Sequence, residues 1–148
     1  MREFSGDLLA LVKNAKPAAL TSLQGVVDIL LTSGATLDVR SNYATFSIKE
    51  TLVAAIHPAG ESIDVCIALK RDLKRSFLFD PIDYNYKWRN LPTGFSLTTR
   101  SDGKAAVPFV ERAIAAVLSG DVIQIDGEQF AIPKAAFQPA FKKKYRHR

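Results

Sequence analysis

The sequence predicts an α+β fold with a mainly antiparallel sheet of five or more strands, on which two N-terminal helices and one later helix pack. Apolar residues recur at three- and four-residue steps near the N-terminus and again after residue 100, which is typical of amphipathic helices. Between these regions the pattern alternates, and short turns separate the alternating segments, as in consecutive antiparallel strands. With 148 residues, 47% of them apolar, the chain is long enough for one domain with a real core.

Two helices are predicted before residue 35. The first covers residues 7–13, with Asp7 in its first turn, where the helix dipole favours a negative charge. It ends near Asn14, and Pro17 is well placed as the first residue of the second helix because its fixed backbone angle suits that position. Gly34 ends the second helix. The predicted buried face of this helix consists of Leu20, Leu23, Val27, Leu30 and Leu31.

Four extended segments are predicted to follow. Residues 36–40 and 43–48 alternate, whereas residues 52–56 and 63–69 are compact apolar runs. The Pro and Gly residues at 57–61 predict a turn that joins the last two runs in a hairpin. In the second run, one face is apolar and the other is expected to be partly covered. The second face carries Asp64, Cys66 and Ala68.

The middle of the chain is basic and aromatic. Residues 70–90 predict a short helical turn, irregular chain, and an extended stretch around residues 84–89. A turn at residues 91–94 is predicted to precede a strand at 95–100, because Pro and Gly interrupt the pattern there.

A third helix is predicted to start at Ser101-Asp102-Gly103 and to end at Gly120. Pro108 is expected in its first turn, or else at a kink, because proline disrupts the interior of a helix. The predicted buried face consists of Val107, Val110, Ile114, Val117 and Leu118.

A last hairpin is predicted over residues 122–132, because Asp126-Gly127 supplies the positive backbone angles of a tight two-residue turn. We expect residues 1–140 to form a single α+β domain. Residues 141–148 carry five bases and no acid, and they predict a flexible basic tail.

The net charge of +5 lies in this tail. Residues 1–140 hold 15 bases against 15 acids, which excludes a protein whose whole body is basic. Within that neutral body, residues 70–104 carry eight bases against four acids, whereas residues 1–69 and 105–140 each have a net charge of −2. Charge is therefore concentrated in two places, one of which lies inside the predicted domain.

This distribution predicts a small module that binds nucleic acid, because bases attract phosphates and Tyr84, Tyr86 and Trp88 offer rings for stacking. In the alternative interpretation, Phe77, Phe79 and Trp88 anchor the core and the bases only solvate the surface between them. The predicted nucleic-acid-binding residues are Lys70, Arg71, Lys74, Arg75, Lys87, Trp88, Arg89, Arg100, Lys142, Lys143, Lys144, Arg146 and Arg148.

No convincing catalytic constellation is present, so we expect a binding module rather than an enzyme. His57 is interpreted as a surface histidine in a turn and Cys66 as a core residue. A hydrolase that uses His57 with Cys66 or Asp64 is the least favoured alternative. The carboxylates are scattered and the glycines stand singly, so neither a metal site nor a phosphate-binding loop nor a cofactor is expected.

A second functional hypothesis is a protein-interaction or oligomerisation module, in which a sheet edge at the predicted hairpin pairs with a second copy or another protein. No apolar run approaches the roughly 18–20 residues that span a bilayer, so no membrane partner is expected. The N-terminus lacks the features of a secretory signal, and a single cysteine cannot form an internal disulfide. These features favour a cytoplasmic location.

Three stretches carry a resemblance to a known family: LVAAIHPAGESIDVCIAL at 52–69, YKWRNLPTGFSLTT at 86–99 and VPFVERAIAAVL at 107–118. Over about residues 43–118 the chain resembles the YjbR/MmcQ-like proteins and the related YdhG-like domains of unknown function. The resemblance implies a compact α/β sandwich, and binding of DNA has been proposed for some members. It implies no catalytic residue, and the N-terminus, the predicted hairpin and the basic tail depart from the family pattern.

Overall fold

Three helices and six strands lie within residues 6–70, 75–79 and 90–120, which the computed structural model describes. The helices are α1 (Gly6–Leu11), α2 (Pro17–Thr32) and α3 (Arg100–Ser119). The strands are β1 (Thr36–Val39), β2 (Ala44–Ile48), β3 (Thr51–Ala59), β4 (Ser62–Ile67), β5 (Leu78–Phe79) and β6 (Thr93–Leu97). The predicted α+β class, with two N-terminal helices and one later helix, is confirmed.

The six strands form one sheet in the order β1-β2-β3-β4-β6-β5, and every neighbouring pair is antiparallel. β6 pairs with both β4 and β5, so the shorter β5 lies outside it. Ile56 of β3, Val65 of β4 and Phe95 of β6 stand side by side in this register. Because side chains alternate along each strand, this row defines one face of the sheet.

The helices cover that apolar face. Phe77 contacts both Phe95 of the sheet and Phe109 of α3, with ring centroids 5.9 and 6.2 Å apart. α2 packs along α3 in the same layer. The opposite face carries small residues, and Cys66 and Ala68 on it are buried. The prediction that this second face is partly covered is therefore confirmed.

The predicted helix ends are confirmed where proline or glycine marks them. Pro17 is the first residue of α2, and Gly34 and Gly120 follow α2 and α3 with φ of 95° and 77°. Only glycine adopts such angles without steric cost, so these residues stop the helices. At the start of α3, the carboxylate of Asp102 accepts the backbone N–H groups of Thr98 and Thr99, at 2.8 and 2.9 Å.

The structure corrects two details of the predicted α3. Pro108 is the ninth residue of the helix, so of the two predicted positions the first turn is wrong, and the proline lies in the helix interior. Leu118 is 55% exposed, whereas Phe109 is buried and only 6% exposed. Val110, Ile114 and Val117 are buried as predicted and Val107 is half-buried, so the predicted face holds along most of the helix and fails at its end.

Two predicted turns are shorter than expected, because part of each is strand. β3 continues through His57 and Pro58 to Ala59, and the reversal occurs at Gly60, whose φ is 66°. Gly94 belongs to β6, because pairing with β4 and β5 on either side holds it extended. The extended stretch at 84–89, the hairpin at 122–132 and the tail at 141–148 lie outside the described residues.

Candidate nucleic-acid interface

The structure describes three of the predicted nucleic-acid-binding residues, Lys70, Arg75 and Arg100, and all three are exposed. The others lie outside the described residues. They are Arg71, Lys74, Lys87, Trp88, Arg89, Lys142, Lys143, Lys144, Arg146 and Arg148.

Lys70 and Arg100 lie towards opposite ends of β6. Lys70 follows the end of β4 at Ile67, which pairs with the first residue of β6, Thr93. The hydroxyl of Thr93 donates to the carbonyl of Leu69 at 2.7 Å, which fixes this corner. Arg100 opens α3 just beyond the last residue of β6. Five strand residues cover roughly 16 Å, so the two bases do not form one compact cluster.

Arg75 lies three residues before Leu78, the first residue of the edge strand β5. Its carbonyl accepts the N–H of Leu78 at 3.1 Å, and its guanidinium carbon lies 5.7 Å from the centroid of the Phe109 ring. This separation is within the range of a cation–π interaction. Among the described bases that are predicted to bind nucleic acid, Arg75 is thus the one that contacts an aromatic ring. Sequence reasoning missed this contact because Phe109 is far from Arg75 along the chain.

Charge is divided across the fold. Among the described residues, positions 6–69 hold four bases and six acids, a net charge of −2. The described residues from 70 onward hold five bases and two acids, a net charge of +3. These later residues form β5, β6 and α3, so the positive excess is carried by these elements and by Lys70 and Arg75 next to them. We call the five bases of these residues the basic side: Lys70, Arg75, Arg100, Lys104 and Arg112.

None of the five forms a salt bridge within the part of the chain that the structure describes. The salt bridge found there joins Arg40 Nε to Asp38 Oδ2 at 2.9 Å, beside β1 at the other edge of the sheet. All five bases of the basic side are exposed. They are therefore available to an anionic partner.

The described aromatic residues near the basic side pack within the protein. Phe77 lies against Phe95 and Phe109. Phe79 covers Gly94 so closely that a Cβ added there would come within 2.7 Å of the ring. These contacts agree with the alternative interpretation, in which Phe77 and Phe79 are core anchors. Tyr84, Tyr86 and Trp88 lie outside the described residues.

A row of polar side chains crosses the second face of the sheet. His57 of β3 stands opposite Asp64 of β4, which stands opposite Ser96 of β6. The Ser96 hydroxyl donates to Asp64 Oδ1 at 2.6 Å, and the ring centroid of Tyr43 lies 5.8 Å from that of His57. Sequence reasoning missed Ser96 and Tyr43, because the row exists only through strand pairing.

His57 is not the surface turn residue that the sequence predicts, since it is only 8% exposed. Pairing of β3 with β4 extends beyond the predicted turn and draws His57 into the sheet. Tyr43, His57 and Asp64 also make further contacts, so none of them is an unpaired group awaiting a ligand.

Cys66 is a core residue, as predicted. It stands opposite Ala55 rather than His57, and it is fully buried. Burial, and then the charge of Asp64, raise the pKa of its thiol well above the ordinary value of 9.0. Because the thiolate is the nucleophilic form, this position does not suit a nucleophile paired with His57.

In the described part of the chain, no group of His, Cys, Asp and Glu side chains is arranged to hold a metal ion. The helices found there are also too short or too polar to cross a membrane. No protein family, curated protein or solved structure matches the sequence or the fold. The resemblance to the YjbR/MmcQ-like and YdhG-like proteins therefore stays a prediction from the sequence pattern.

Proposed function

We propose that the protein is a small binding module that holds nucleic acid through electrostatic contacts between its basic side and phosphate groups. The observation that carries this proposal is the division of charge between the elements of the fold: among the described residues, those from 70 onward have a net charge of +3 and those before them −2. Such a field attracts a polyanion and orients it as it approaches. A cytoplasmic location, where nucleic acid is accessible, belongs to the same proposal.

The spacing of the bases favours an extended polyanion over a small anion. A compact phosphate site needs several donors around one point, whereas Lys70 and Arg100 lie towards opposite ends of β6. Nucleic acid offers a phosphate along its entire length, about one charge per 1.7 Å of duplex axis. Bases that are this far apart can thus contact different phosphates of one nucleic acid.

The test is a titration of fluorescently labelled duplex and single strand, followed by fluorescence anisotropy at about 50 and 200 mM salt. The variant R75Q/R100Q/K104Q removes three charges from the basic side. Its matched control, K13Q/K16Q/K49Q, removes three charges from residues 6–69, whose net charge is negative, so both variants have the same net charge.

We expect the basic-side variant to bind more weakly and to lower the slope of log affinity against log salt by up to about 0.9 for each lost contact. The control should keep most of the native affinity and slope. Absence of binding by the native protein at low salt, or equal losses in the two variants, contradicts the proposal.

One edge of β1 is left unpaired by the described strands, which favours a second candidate, association with a second copy or with a strand of another protein. Among the described strands β1 pairs only with β2, and unpaired strand edges add further strands readily. The strand is short and carries Asp38, both of which oppose pairing. Light scattering over a range of concentrations tests for association with a second copy. A mass that stays that of the monomer at every concentration contradicts it.

A further inference from the structure

We infer that Arg75 is the pre-positioned phosphate contact of the basic side and that Phe109 is the residue that positions it. The inference rests on the proposed function and names the chemistry of one contact within it: a phosphodiester group bound by paired N–H donors of a guanidinium. Phe109 touches no ligand in this arrangement and acts only through Arg75.

The backbone of Arg75 is tied to the sheet. Its carbonyl accepts the N–H of Leu78, and Leu78 pairs with Phe95 of β6. The position of the Arg75 Cα is therefore set by the edge of the sheet.

The side chain of Arg75 is held as well. Its guanidinium lies over the ring of Phe109, and that ring is fixed by its contact with Phe77, which in turn packs on Phe95. Phe109 is only 6% exposed, so the guanidinium covers a ring that has little freedom to move.

A cation–π contact orients an arginine without using its hydrogen-bond donors. A salt bridge would occupy some of the guanidinium N–H groups, but Arg75 has no acidic partner within the described residues. Since no described residue takes up its five N–H donors, they can bind the two non-bridging oxygens of a phosphodiester, a geometry that arginine matches and lysine does not.

The lysines of the basic side lack this support. Lys70 and Lys104 are exposed and make no side-chain contact of this kind in the described structure. Ordering a free lysine chain on binding costs side-chain entropy, whereas Arg75 has lost much of that freedom before a ligand arrives. Equal charges at these positions should thus contribute unequally to affinity.

The experiment compares R75Q, K104Q, R75K, F109L and R75Q/F109L by anisotropy with the same labelled duplex. We expect R75Q to weaken binding more than K104Q. The affinity of R75K should lie between those of R75Q and the native protein, because lysine keeps the charge but lacks the paired N–H donors of the guanidinium. F109L should weaken binding about twofold to fivefold, as expected for loss of an exposed cation–π contact. The same change in the R75Q background should have no further effect.

Urea unfolding of F109L measures its free energy of unfolding, which gives the fraction of this variant that is folded under the binding conditions. If F109L does not fold, the comparison of R75Q with K104Q still decides, since both positions are exposed. Equal losses for those two variants, or a further loss on adding F109L to R75Q, overturn the inference while the proposed function stands. Failure of the native protein to bind overturns both.

Discussion

Ser22 of α2 and Gly103 of α3 are in direct contact where the two helices pack together. The Ser22 hydroxyl oxygen accepts the backbone N–H of Gly103 at 2.9 Å and donates to the carbonyl of Thr99. A Cβ at position 103 would lie 2.7 Å from the Cα of Ser22. α2 therefore supplies a capping group for the first turn of α3, and glycine is required for that contact.

Gly103→Ala should destabilise the protein. Alanine favours helix over glycine by about 1 kcal/mol, but here its Cβ meets backbone atoms that cannot move without separating the helices. Overpacking of this kind costs about 1–3 kcal/mol, so we expect a net loss in the free energy of unfolding, measured with urea.

The matched control is Gly25→Ala in α2, where no atom lies within 4 Å of the added Cβ. This variant should be more stable than the native protein by about 0.5–1 kcal/mol, since only the helix propensity changes. If the two alanine variants shift stability in the same direction, the close approach does not govern position 103.

Ser22→Ala should also lower stability, by about 1–3 kcal/mol, because the N–H of Gly103 is left buried without its partner. Ser22 is only 3% exposed, which keeps water from replacing the hydroxyl. Ser119→Ala is the control: its hydroxyl donates to the carbonyl of Ala116 at an exposed helix end. Thermal unfolding should show a change within about 0.5 kcal/mol for the control, and similar losses in both variants would contradict the capping role of Ser22.

Helix ends in this protein could be predicted from single residues. Pro17 has no N–H to lose at the start of α2, and Gly34 and Gly120 adopt the positive φ that other residues avoid. These are local backbone properties, so they hold whatever the rest of the chain does.

Strand boundaries were less predictable because pairing overrides local preference. His57 and Gly94 both lie in sequences typical of turns, yet each is extended. His57 is held by pairing with β4, and Gly94 lies between β4 and β5 beneath the ring of Phe79. The strands that pair with His57 and Gly94 cannot be inferred from the residues next to them in sequence.

The charge excess of the candidate site could be predicted, since it depends only on composition along the chain. The contacts within the site could not. The Arg75–Phe109 contact and the Asp64–Ser96 hydrogen bond each join segments that are far apart in sequence, and they depend on the insertion of β6 between β4 and β5.

Leu118→Ala should change stability by no more than about 0.5 kcal/mol, although the sequence pattern wrongly predicts this residue to be buried. The same substitution at Leu30, which is fully buried in α2, should cost about 2–5 kcal/mol because it leaves a cavity in the core. Urea unfolding of the two variants measures the difference. A large loss at Leu118 would mean that its side chain is covered in solution.

Cys66 predicts how stability changes in alkaline solution. Burial raises the pKa of its thiol in the folded protein, whereas in the unfolded chain this thiol has the ordinary pKa of 9.0. The folded state then retains a proton that the unfolded state loses, so the contribution of Cys66 is complete below pH 9.0 and declines as the pH rises towards the folded pKa. The decline cannot exceed about 1.4 kcal/mol per pH unit. Cys66→Ala removes this titration, so the free energy of unfolding of the native protein should fall more steeply above pH 9.0 than that of the variant. Parallel curves in urea titrations over this range would show that the thiol ionises equally in both states.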